Sequence, residues 1–372
     1  MVNRTMVVGG GLLGGMMAHL LARQGVPVAV YDLKRPGNAT WAGAGIISPE
    51  ISAVVDPDYV ELAMAAGRYY PELVERLNDY DIGYGQAGIA KVRMRGEDPT
   101  AFERAKTAIF RRQAEGRFPT QHAVQEVNPD WLREQHPLLG DVAEALYYPQ
   151  AARVDGRKLA SALRMDSERH GAQWIDAEVQ GLQVKEGRIR GVTTDRGDAD
   201  ADQVVMAAGF WSRSLLEPVG LHLGLTPHRG QIVHLATDRR DAGEWPIIEG
   251  MHGHYLLAWP DGRVVAGATR ETGTGDAPHL TAEGQHEVLT QAFRVAPGLK
   301  PAMVVEWRVG LRPASEDGRP ILGAVPPVEG LFVVTGHGAG GLLCGPYSAE
   351  LVVRHMLEGR PINPAFSAAR FL

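Results

Sequence analysis

Three glycines at the spacing used for phosphate binding follow the first apolar segment of the chain. Gly9, Gly11 and Gly14 form a G-x-G-x-x-G pattern directly after residues 6–8. In a dinucleotide-binding turn, the first glycine allows a tight turn and the second lets the backbone approach a pyrophosphate. The third lets a helix pack closely on a strand. The spacing therefore predicts a site for the phosphates of a dinucleotide.

The elements around these glycines are those that such a site requires. The segment TMVVG has the composition of a buried parallel strand, and a helix is predicted from about Leu12 to Gln24. The helix N-terminus presents free N–H groups and the positive end of its dipole to an anion. The next strand, VAVYD, ends at Asp32, where a carboxylate accepts hydrogen bonds from a ribose. Together these elements predict a bound adenine dinucleotide.

The same N-terminal segment is apolar enough to be compared with a secretory signal. Arg4 is the only charged side chain before the apolar run, glycines interrupt that run, and no A-x-A cleavage site follows it. We therefore interpret the segment as part of the fold and expect a cytoplasmic protein without an integral membrane segment.

A second strand, glycine loop and helix are predicted near the C-terminus. The sequence GLFVVTGHGAGGLLCG occupies residues 330–345 and precedes a long predicted helix. Two helix N-termini in one site suit a long cofactor that is held at both ends. FAD fits better than NAD, because a helix N-terminus stabilises the negative charge that a reduced isoalloxazine carries at N1 and O2.

Composition limits the other classes of function. A chain of 372 residues is expected to form two domains. Its net charge of −6 argues against nucleic acid or an anionic membrane as a partner. The single cysteine, Cys344, excludes an internal disulfide and a cysteine-rich metal site, and the 13 histidines show no metal-ligand spacing. We expect no metal centre.

The chain from about residue 5 to residue 360 resembles the FAD-dependent amino-acid oxidoreductases. This family holds glycine oxidase, D-amino-acid oxidases and dehydrogenases, and sarcosine oxidase. The resemblance rests on eight motifs in order: VVGGGLLG, WAGAGIISP, RVDGRKLASAL, VVMAAGFWS, HRGQIV, YLLAWPDGRVVAGATRE, GLRPASEDGRPILG and GHGAGGLLCGP. The pattern is most similar to the glycine oxidase branch.

The resemblance implies an α/β fold of two domains (α+β in arrangement). A Rossmann-like FAD-binding domain is expected from residues 1–50, 150–220 and 305–372. A substrate-binding domain with a mixed β-sheet is expected from residues 51–149 and 221–304.

The resemblance also implies which residues contact the cofactor, which is expected to be held without a covalent bond. They are Gly9, Gly11, Leu12, Gly14, Asp32, Leu33, Thr40, Ala42, Gly43, Ala44, Gly45, Ile46, Val179, Ala207, Ala208, Gly209, Trp211, Arg312, His337, Gly338, Ala339, Gly340, Gly341 and Leu342.

Two residues are expected to act on the substrate. Arg312 matches the arginine with which relatives bind the substrate carboxylate, and a guanidinium suits this task because it forms two parallel hydrogen bonds. Tyr255 matches a tyrosine whose hydroxyl binds the same carboxylate. The alternatives are a surface salt bridge for Arg312 and simple packing for Tyr255.

The implied reaction is the oxidative deamination of a D-amino acid or glycine, with hydride transfer from Cα to flavin N5. The electrons then pass to O2 and give H2O2. The alternatives are a secondary-amine oxidase acting on sarcosine or proline-like substrates, a dehydrogenase using a quinone or another acceptor, and a non-catalytic flavin-binding subunit. A homo-oligomer is compatible with each of them.

Several positions stay open at this stage. His252 and His254 either contact the substrate or are structural, and Arg308 is either a second cation in the pocket or an ion-pair partner. His337 is expected near the flavin through its ring or its backbone. Ala339 stands where some glycine oxidases carry a second substrate-binding arginine. Cys344 is expected to be a packed small residue.

Overall fold

The computed structural model describes residues 4–52, 54–116 and 122–371. Nine α-helices lie in these ranges: α1 (Leu12–Arg23), α2 (Ala39–Ala42), α3 (Pro57–Arg76), α4 (Thr100–Ala114), α5 (Pro129–Gln135), α6 (Gly156–Arg169), α7 (Ser212–Leu216), α8 (Ala282–Val295) and α9 (Gly341–Glu358). Within the same ranges, no helix has the length and apolar character needed to cross a bilayer.

The described ranges also contain the β-strands. They are β1 (Thr5–Val8), β2 (Val28–Tyr31), β3 (Ile46–Ile47), β4 (Gly85–Gln86), β5 (Ile89–Met94), β6 (Gln125–Val127), β7 (Val142–Tyr148), β8 (Ala152–Arg153), β9 (Gln173–Ile175), β10 (Val179–Lys185), β11 (Arg188–Thr194), β12 (Gly197–Asp200), β13 (Gln203–Met206), β14 (Leu225–Ala236), β15 (Ile247–Gly250), β16 (Tyr255–Ala258), β17 (Arg263–Gly267), β18 (Met303–Ser315), β19 (Ile321–Ala324) and β20 (Leu331–Thr335).

The first large sheet has the order β19-β20-β13-β1-β2-β9. Its central strand β1 pairs in parallel with both β2 and β13, and all four residues of β1 are buried. Burial on both faces explains why TMVV is continuously apolar instead of alternating. Helices α1, α6 and α9 contribute to the core on one face of this sheet, so the sheet and the glycine turn after β1 are held from that side.

The second large sheet has the order β18-β14-β17-β16-β15-β5-β7-β6. It is mixed, since β15 runs parallel to β5 while the other neighbours are antiparallel. A core that includes Trp245, Ile248 and Val295 covers one face, where α8 packs. The predicted α/β class with a mixed second sheet is therefore confirmed, and the comparisons given below agree with it.

Two elements depart from the predicted grouping of the chain. Helix α3 lies within residues 51–149, yet its apolar residues join the core of the first sheet and it packs against α9. Strand β18 pairs with β14 over its whole length, so residues 305–315 extend the second sheet. Burial of the apolar face of α3 and the long β14–β18 ladder explain these placements. The division into two domains stays a prediction.

A buried charged cluster joins the helix that follows the glycine turn to α6. His19 donates from Nδ1 to Asp166 at 2.7 Å, and Arg23 donates to both carboxylate oxygens at 2.9 Å. Burial lowers the pKa of His19 to about 4, so the ring is neutral when it donates this hydrogen bond. The cluster fixes α1 against α6 and thereby fixes the orientation of its N-terminus.

Candidate active site

Two cavities meet in the region where the two large sheets approach each other. The long cleft runs from Gly11 at the start of α1 to Gly341 at the start of α9, and the inner cavity lies beside its second end. Five residues line both: Ala39, Gly43, Arg312, Ala339 and Leu342. A molecule in one cavity would therefore contact a molecule in the other.

The long cleft begins at the glycine turn after β1. Gly9 has φ +101°, and a Cβ at this position would lie 2.6 Å from the carbonyl oxygen of Ala207. A Cβ at Gly14 would lie 1.8 Å from the carbonyl oxygen of Gly9. Side chains at either position would collide with backbone, so the turn can keep its shape only with glycine.

The carboxylate of Asp32 lies beside this turn, at the end of β2. A Cβ at Gly10 would lie 2.8 Å from a carboxylate oxygen of Asp32, and Asp32 lines the cleft. Arg35 forms an ion pair with Glu178 and lies 6.0 Å from the ring centre of Trp211. These groups close the same end of the cleft and place one carboxylate where a ribose would donate to it.

The other end of the cleft is formed by the loop before α9 and by β18. The backbone at His337 lines it, but the ring is 4 % exposed and its Nε2 lies 2.9 Å from Ser348 Oγ inside α9. Burial lowers the pKa of His337 to about 4, so the ring is neutral. The side chain thus anchors the loop to the helix, and a contact between His337 and the flavin stays a prediction.

The long cleft fits an FAD molecule in size and in the character of its walls. It extends from the glycine turn before α1 to the loop before α9, which is the length that a cofactor held at both ends requires. The N-terminus of a long helix lies at each end, where anionic groups are favoured. The glycines of the turn keep the backbone of the first end in the close-packed shape that a pyrophosphate site needs.

Most of the residues expected at the cofactor line one of the two cavities. Those in the long cleft are Gly9, Gly11, Leu12, Asp32, Leu33, Thr40, Gly43, Val179, Ala207, Ala208, Gly209, Trp211, Arg312, His337, Gly338, Ala339, Gly341 and Leu342. Ala42, Ala44, Gly45 and Ile46 line the inner cavity.

Gly14 and Gly340 line neither cavity. Gly14 packs its Cα against the carbonyl of Gly9, and a Cβ at Gly340 would lie 2.1 Å from the hydroxyl of Tyr59. Both glycines shape the backbone that borders the cleft, because a larger residue at either position would push a helix start away from its neighbour.

Several lining residues of the long cleft were absent from the sequence-based set. They are Val8, Gly10, Leu13, Tyr31, Arg35, Asn38, Ala39, Ala177, Glu178, Ser214, Leu215, Leu311 and Pro313. Eight of them are direct neighbours of predicted residues, and extending each motif by one residue would have found those eight but not Arg35, Asn38, Ala177, Ser214 or Leu215.

Arg312 lies where the cleft and the inner cavity join. Its guanidinium passes over Gly230 on the neighbouring strand, where a Cβ would lie 2.2 Å from one terminal nitrogen. Another terminal nitrogen donates to the carbonyl of Thr269 at 2.9 Å. No carboxylate of the described residues forms an ion pair with Arg312. Burial lowers the pKa of Arg312, since desolvation disfavours its charge. The site therefore favours an incoming anion.

Tyr255 faces Arg312 in the inner cavity. It pairs with Gly267 across β16 and β17, and a Cβ at Gly267 would lie 2.8 Å from the Tyr255 hydroxyl. Burial raises the pKa of Tyr255, while the charges of Arg312 and Arg270 act in the opposite direction. The hydroxyl therefore keeps its proton near neutral pH and can donate a hydrogen bond to an anion held by Arg312.

Sequence reasoning missed the second arginine of the inner cavity, Arg270. The other missed lining residues are Ala39, Gly230, Ile232, Gly253, Ala268, Gly310 and Leu343. None of the described residues that line this cavity is acidic, and its space is about 720 Å³. The segment YLLAWPDGRVVAGATRE begins at Tyr255 and has Arg270 as its penultimate residue, so hairpin pairing is the sequence signal that brings these two residues near each other.

The remaining open positions lie outside both cavities. His254 Nε2 donates a hydrogen bond to Glu287 at 3.0 Å, and His252 lies 3.9 Å from Glu97. Arg308 donates from Nε to Glu306 at 2.9 Å, which favours the ion-pair alternative. Cys344 is fully buried, and burial raises the pKa of its thiol to about 12, as suits a packed residue.

The family model for FAD dependent oxidoreductases matches residues 4–355. The chain belongs to this family. An oxidoreductase of Bacillus subtilis, YurR, is 37 % identical over 98 % of this chain and 99 % of its own length. The glycine oxidase of Pseudomonas aeruginosa is 32 % identical, with 98 % of both chains covered. The family assignment and the likeness to the glycine oxidase branch are thereby confirmed.

A solved structure supports the same conclusion. The iminodiacetate oxidase of Chelativorans sp. BNC1 is 36 % identical, with a TM-score of 0.92 and coverage of 98 % of each chain. The cofactor is FAD, held non-covalently as in the glycine oxidases. A covalent link to Cys344 is in any case disfavoured by geometry, because this residue lines neither cavity.

Proposed function

We propose that this FAD-dependent oxidoreductase deaminates a D-amino acid or glycine. The overall reaction converts the amino acid, O2 and water into the keto acid, ammonia and H2O2. The observation that carries this proposal is Arg312, a guanidinium without an acidic partner among the described residues, at the junction of the two cavities. The cytoplasm remains its predicted location.

The protein's own residues bind and orient the substrate. Arg312 binds the carboxylate with two charge-assisted hydrogen bonds, and the Tyr255 hydroxyl donates a third. Bound FAD supplies the two-electron acceptor for a hydride. The carboxylate anchor fixes the position of Cα, and orientation of this kind accounts for a large part of the rate in such reactions.

The inner cavity also controls the protonation of the substrate amine. The described residues that line it include two guanidinium groups and no carboxylate or imidazole. Nearby positive charge lowers the pKa of an amine, so the neutral form that can lose a hydride is favoured without a general base. The small residues Ala42, Gly43 and Ala44 leave room for the substrate against the cofactor.

A secondary amine is the second candidate substrate. The chain is similar to an iminodiacetate oxidase, and iminodiacetate is a secondary amine with a carboxylate on each arm. Ala339 lines the inner cavity at the position where some glycine oxidases carry an arginine, which leaves space beside the substrate amine. The electron acceptor is then O2, or a quinone if the enzyme is a dehydrogenase.

An anaerobic titration tests the proposal. We expect the visible flavin band of the purified protein to bleach when a D-amino acid, glycine, sarcosine or iminodiacetate is added without oxygen. Return of the band on admission of air, together with H2O2, would identify an oxidase. A band that bleaches but returns only with a quinone would identify a dehydrogenase. A yellow protein that no amine bleaches would refute amine oxidation and favour a non-catalytic flavin-binding subunit.

Substitution of Gly230 tests the position of Arg312 without removing it. Gly230→Ala places a Cβ 2.2 Å from the present guanidinium nitrogen, so the guanidinium must move. We expect kcat/KM to fall by about 100-fold, the effect of a displacement near 1 Å in a positioning group, with FAD still bound. Gly250→Ala in the same sheet is the control, because its Cβ would meet Val295 at an ordinary 3.4 Å. Equal kinetics of the two variants would contradict the assigned position.

A further inference from the structure

The inner cavity contains a cation that the proposed function does not use. Arg270 lines this cavity together with Arg312 and Tyr255. Its guanidinium lies over the backbone of Gly253, where a Cβ would be 3.2 Å from the guanidinium carbon. Its side chain is exposed, whereas Arg312 is partly buried at the junction with the long cleft. The two arginines therefore lie at different depths of one cavity.

The carboxylate next to Arg270 in sequence, and the one that His254 contacts, are already bound by other groups. Glu271 accepts hydrogen bonds from Arg229 at 2.6 and 2.9 Å, from Gln231 at 2.7 Å and from Thr269 at 2.6 Å. Glu287 pairs with His254 at 3.0 Å. Within residues 4–52, 54–116 and 122–371, the Arg270 guanidinium has no ion pair and no hydrogen bond.

The same network fixes the backbone from which Arg270 projects. Residues 229 and 271 form a backbone bridge with hydrogen bonds of 2.9 and 3.0 Å, and the carbonyl of Thr269 accepts from Arg312. The loop is held on both sides of Arg270 while its side chain is left without a partner. This combination is typical of a binding residue on a rigid support.

The inner cavity carries two positive charges, and among the described residues Glu271 is the one carboxylate that acts on Arg312 from outside its lining. Arg270 and Arg312 both act on Tyr255, and the charge of Arg270 contributes to the lowered pKa of Arg312. Like charges in a partly desolvated cavity repel each other more strongly than in water. A carboxylate on Arg312 would leave the Arg270 guanidinium available for a second anion, since none of the described lining residues is acidic.

We infer that the substrate is a dicarboxylate amine, in which Arg312 and Tyr255 bind the carboxylate beside the oxidised carbon and Arg270 binds the second carboxylate. This inference rests on the proposed function and specifies its substrate class. Both an acidic amino acid and a secondary amine with a carboxylate on each arm carry the required groups. Binding of both carboxylates would also fix the orientation of the substrate in the cavity.

Paired substrates that differ in one charge test the inference. Iminodiacetate and its monoamide have nearly the same shape, as have D-aspartate and D-asparagine. We expect kcat/KM to be higher for the dicarboxylate of at least one pair by about 10- to 100-fold, as for a hydrogen-bonded charge pair. In Arg270→Gln, the ratio of kcat/KM for the dicarboxylate to kcat/KM for its amide should approach one. Arg68→Gln, which removes an exposed arginine that lines neither cavity, should retain the ratio.

A binding measurement separates the inference from turnover. Diglycolate is the ether analogue of iminodiacetate and has no amine to oxidise, and methoxyacetate lacks its second carboxylate. Their binding to the FAD-loaded protein can be followed by the change in the flavin spectrum. We expect diglycolate to bind at least about 10-fold more tightly, and this preference should disappear in Arg270→Gln.

The possible outcomes distinguish two failures. If no amine bleaches the flavin, the proposed function fails, and the diglycolate comparison alone decides whether Arg270 binds a carboxylate. If amines bleach the flavin but kcat/KM is nearly the same for each dicarboxylate and its amide, the inference about the second carboxylate is wrong while the proposed function stands. Persistence of the ratios in Arg270→Gln would likewise overturn the role assigned to Arg270.

Discussion

Replacement of Arg312 by methionine is expected to lower kcat/KM by about 10²- to 10⁴-fold, with most of the loss in KM. The change removes two charge-assisted hydrogen bonds to the substrate carboxylate, each contributing about 1.5–3 kcal/mol. Methionine has a similar length, so the space over Gly230 stays filled. Steady-state kinetics with the substrate identified by flavin bleaching would measure the effect.

The fold of this variant should be preserved. Arg312 has no acidic partner among the described residues, so its removal strands no buried carboxylate and takes a cation out of a partly buried site. We expect FAD to stay bound and the melting temperature to change little. Arg312→Lys, which keeps the charge but not the planar fork, should lose less activity than the methionine variant. A KM within about fivefold of the native value in Arg312→Met would contradict the carboxylate-binding role.

Replacement of Gly14 by alanine is expected to abolish FAD binding. The new Cβ would lie 1.8 Å from the carbonyl oxygen of Gly9, and this oxygen belongs to backbone that cannot move without opening the turn. Helix α1 would have to shift away from β1, which carries its N-terminal N–H groups away from the phosphates. The purified variant should be colourless, with an apparent FAD affinity reduced by at least about 100-fold.

The adjacent residue provides a matched control for this prediction. A Cβ at Gly15 would lie 3.4 Å from Leu163 Cβ, which is ordinary van der Waals contact, and the position is inside the same helix. Gly15→Ala should therefore bind FAD normally and gain about 0.5–1 kcal/mol of stability from the better helix former. Absorbance of the purified proteins and thermal unfolding with and without added FAD measure both effects. Normal FAD content in Gly14→Ala would refute the role of the close contact.

The cofactor site could be predicted from the sequence because its parts are local. The strand, glycine turn and helix of residues 5–23 are contiguous, and the constraint on Gly9 and Gly14 comes from backbone a few residues away or on the adjacent strand. The same holds for the loop before α9. Local patterns of this kind need only the neighbouring residues to determine their conformation.

The open roles of His337 and Arg308 could not be resolved in the same way. The ring of His337 forms a hydrogen bond with Ser348, which lies inside α9. Arg308 forms an ion pair with Glu306 on its own strand. The sequence left two roles open for each residue: contact through the ring or the backbone for His337, and a cation in the pocket or an ion-pair partner for Arg308. Side-chain direction decides between them, and that direction follows from packing against other elements.

The inner cavity depends on contacts that are distant in sequence. Tyr255 comes from β16 and Arg312 from β18, and β14 and β17 separate these strands in the sheet. Arg270 reaches the same cavity from the segment after β17, and nothing in its own neighbourhood marks it as a binding residue. The register of four strands had to be known before the two guanidinium groups could be placed together.

The family and the FAD cofactor could thus be read from the sequence, which also predicted Arg312 as the anchor for one carboxylate. These features rest on short motifs whose residues are constrained by local backbone geometry. Only the tertiary structure decided which charges share the inner cavity, because Glu271 is bound by Arg229, Gln231 and Thr269 while Arg270 is left without a partner among the described residues. An unpaired charge is a property of the folded arrangement, since it depends on where every nearby carboxylate ends up.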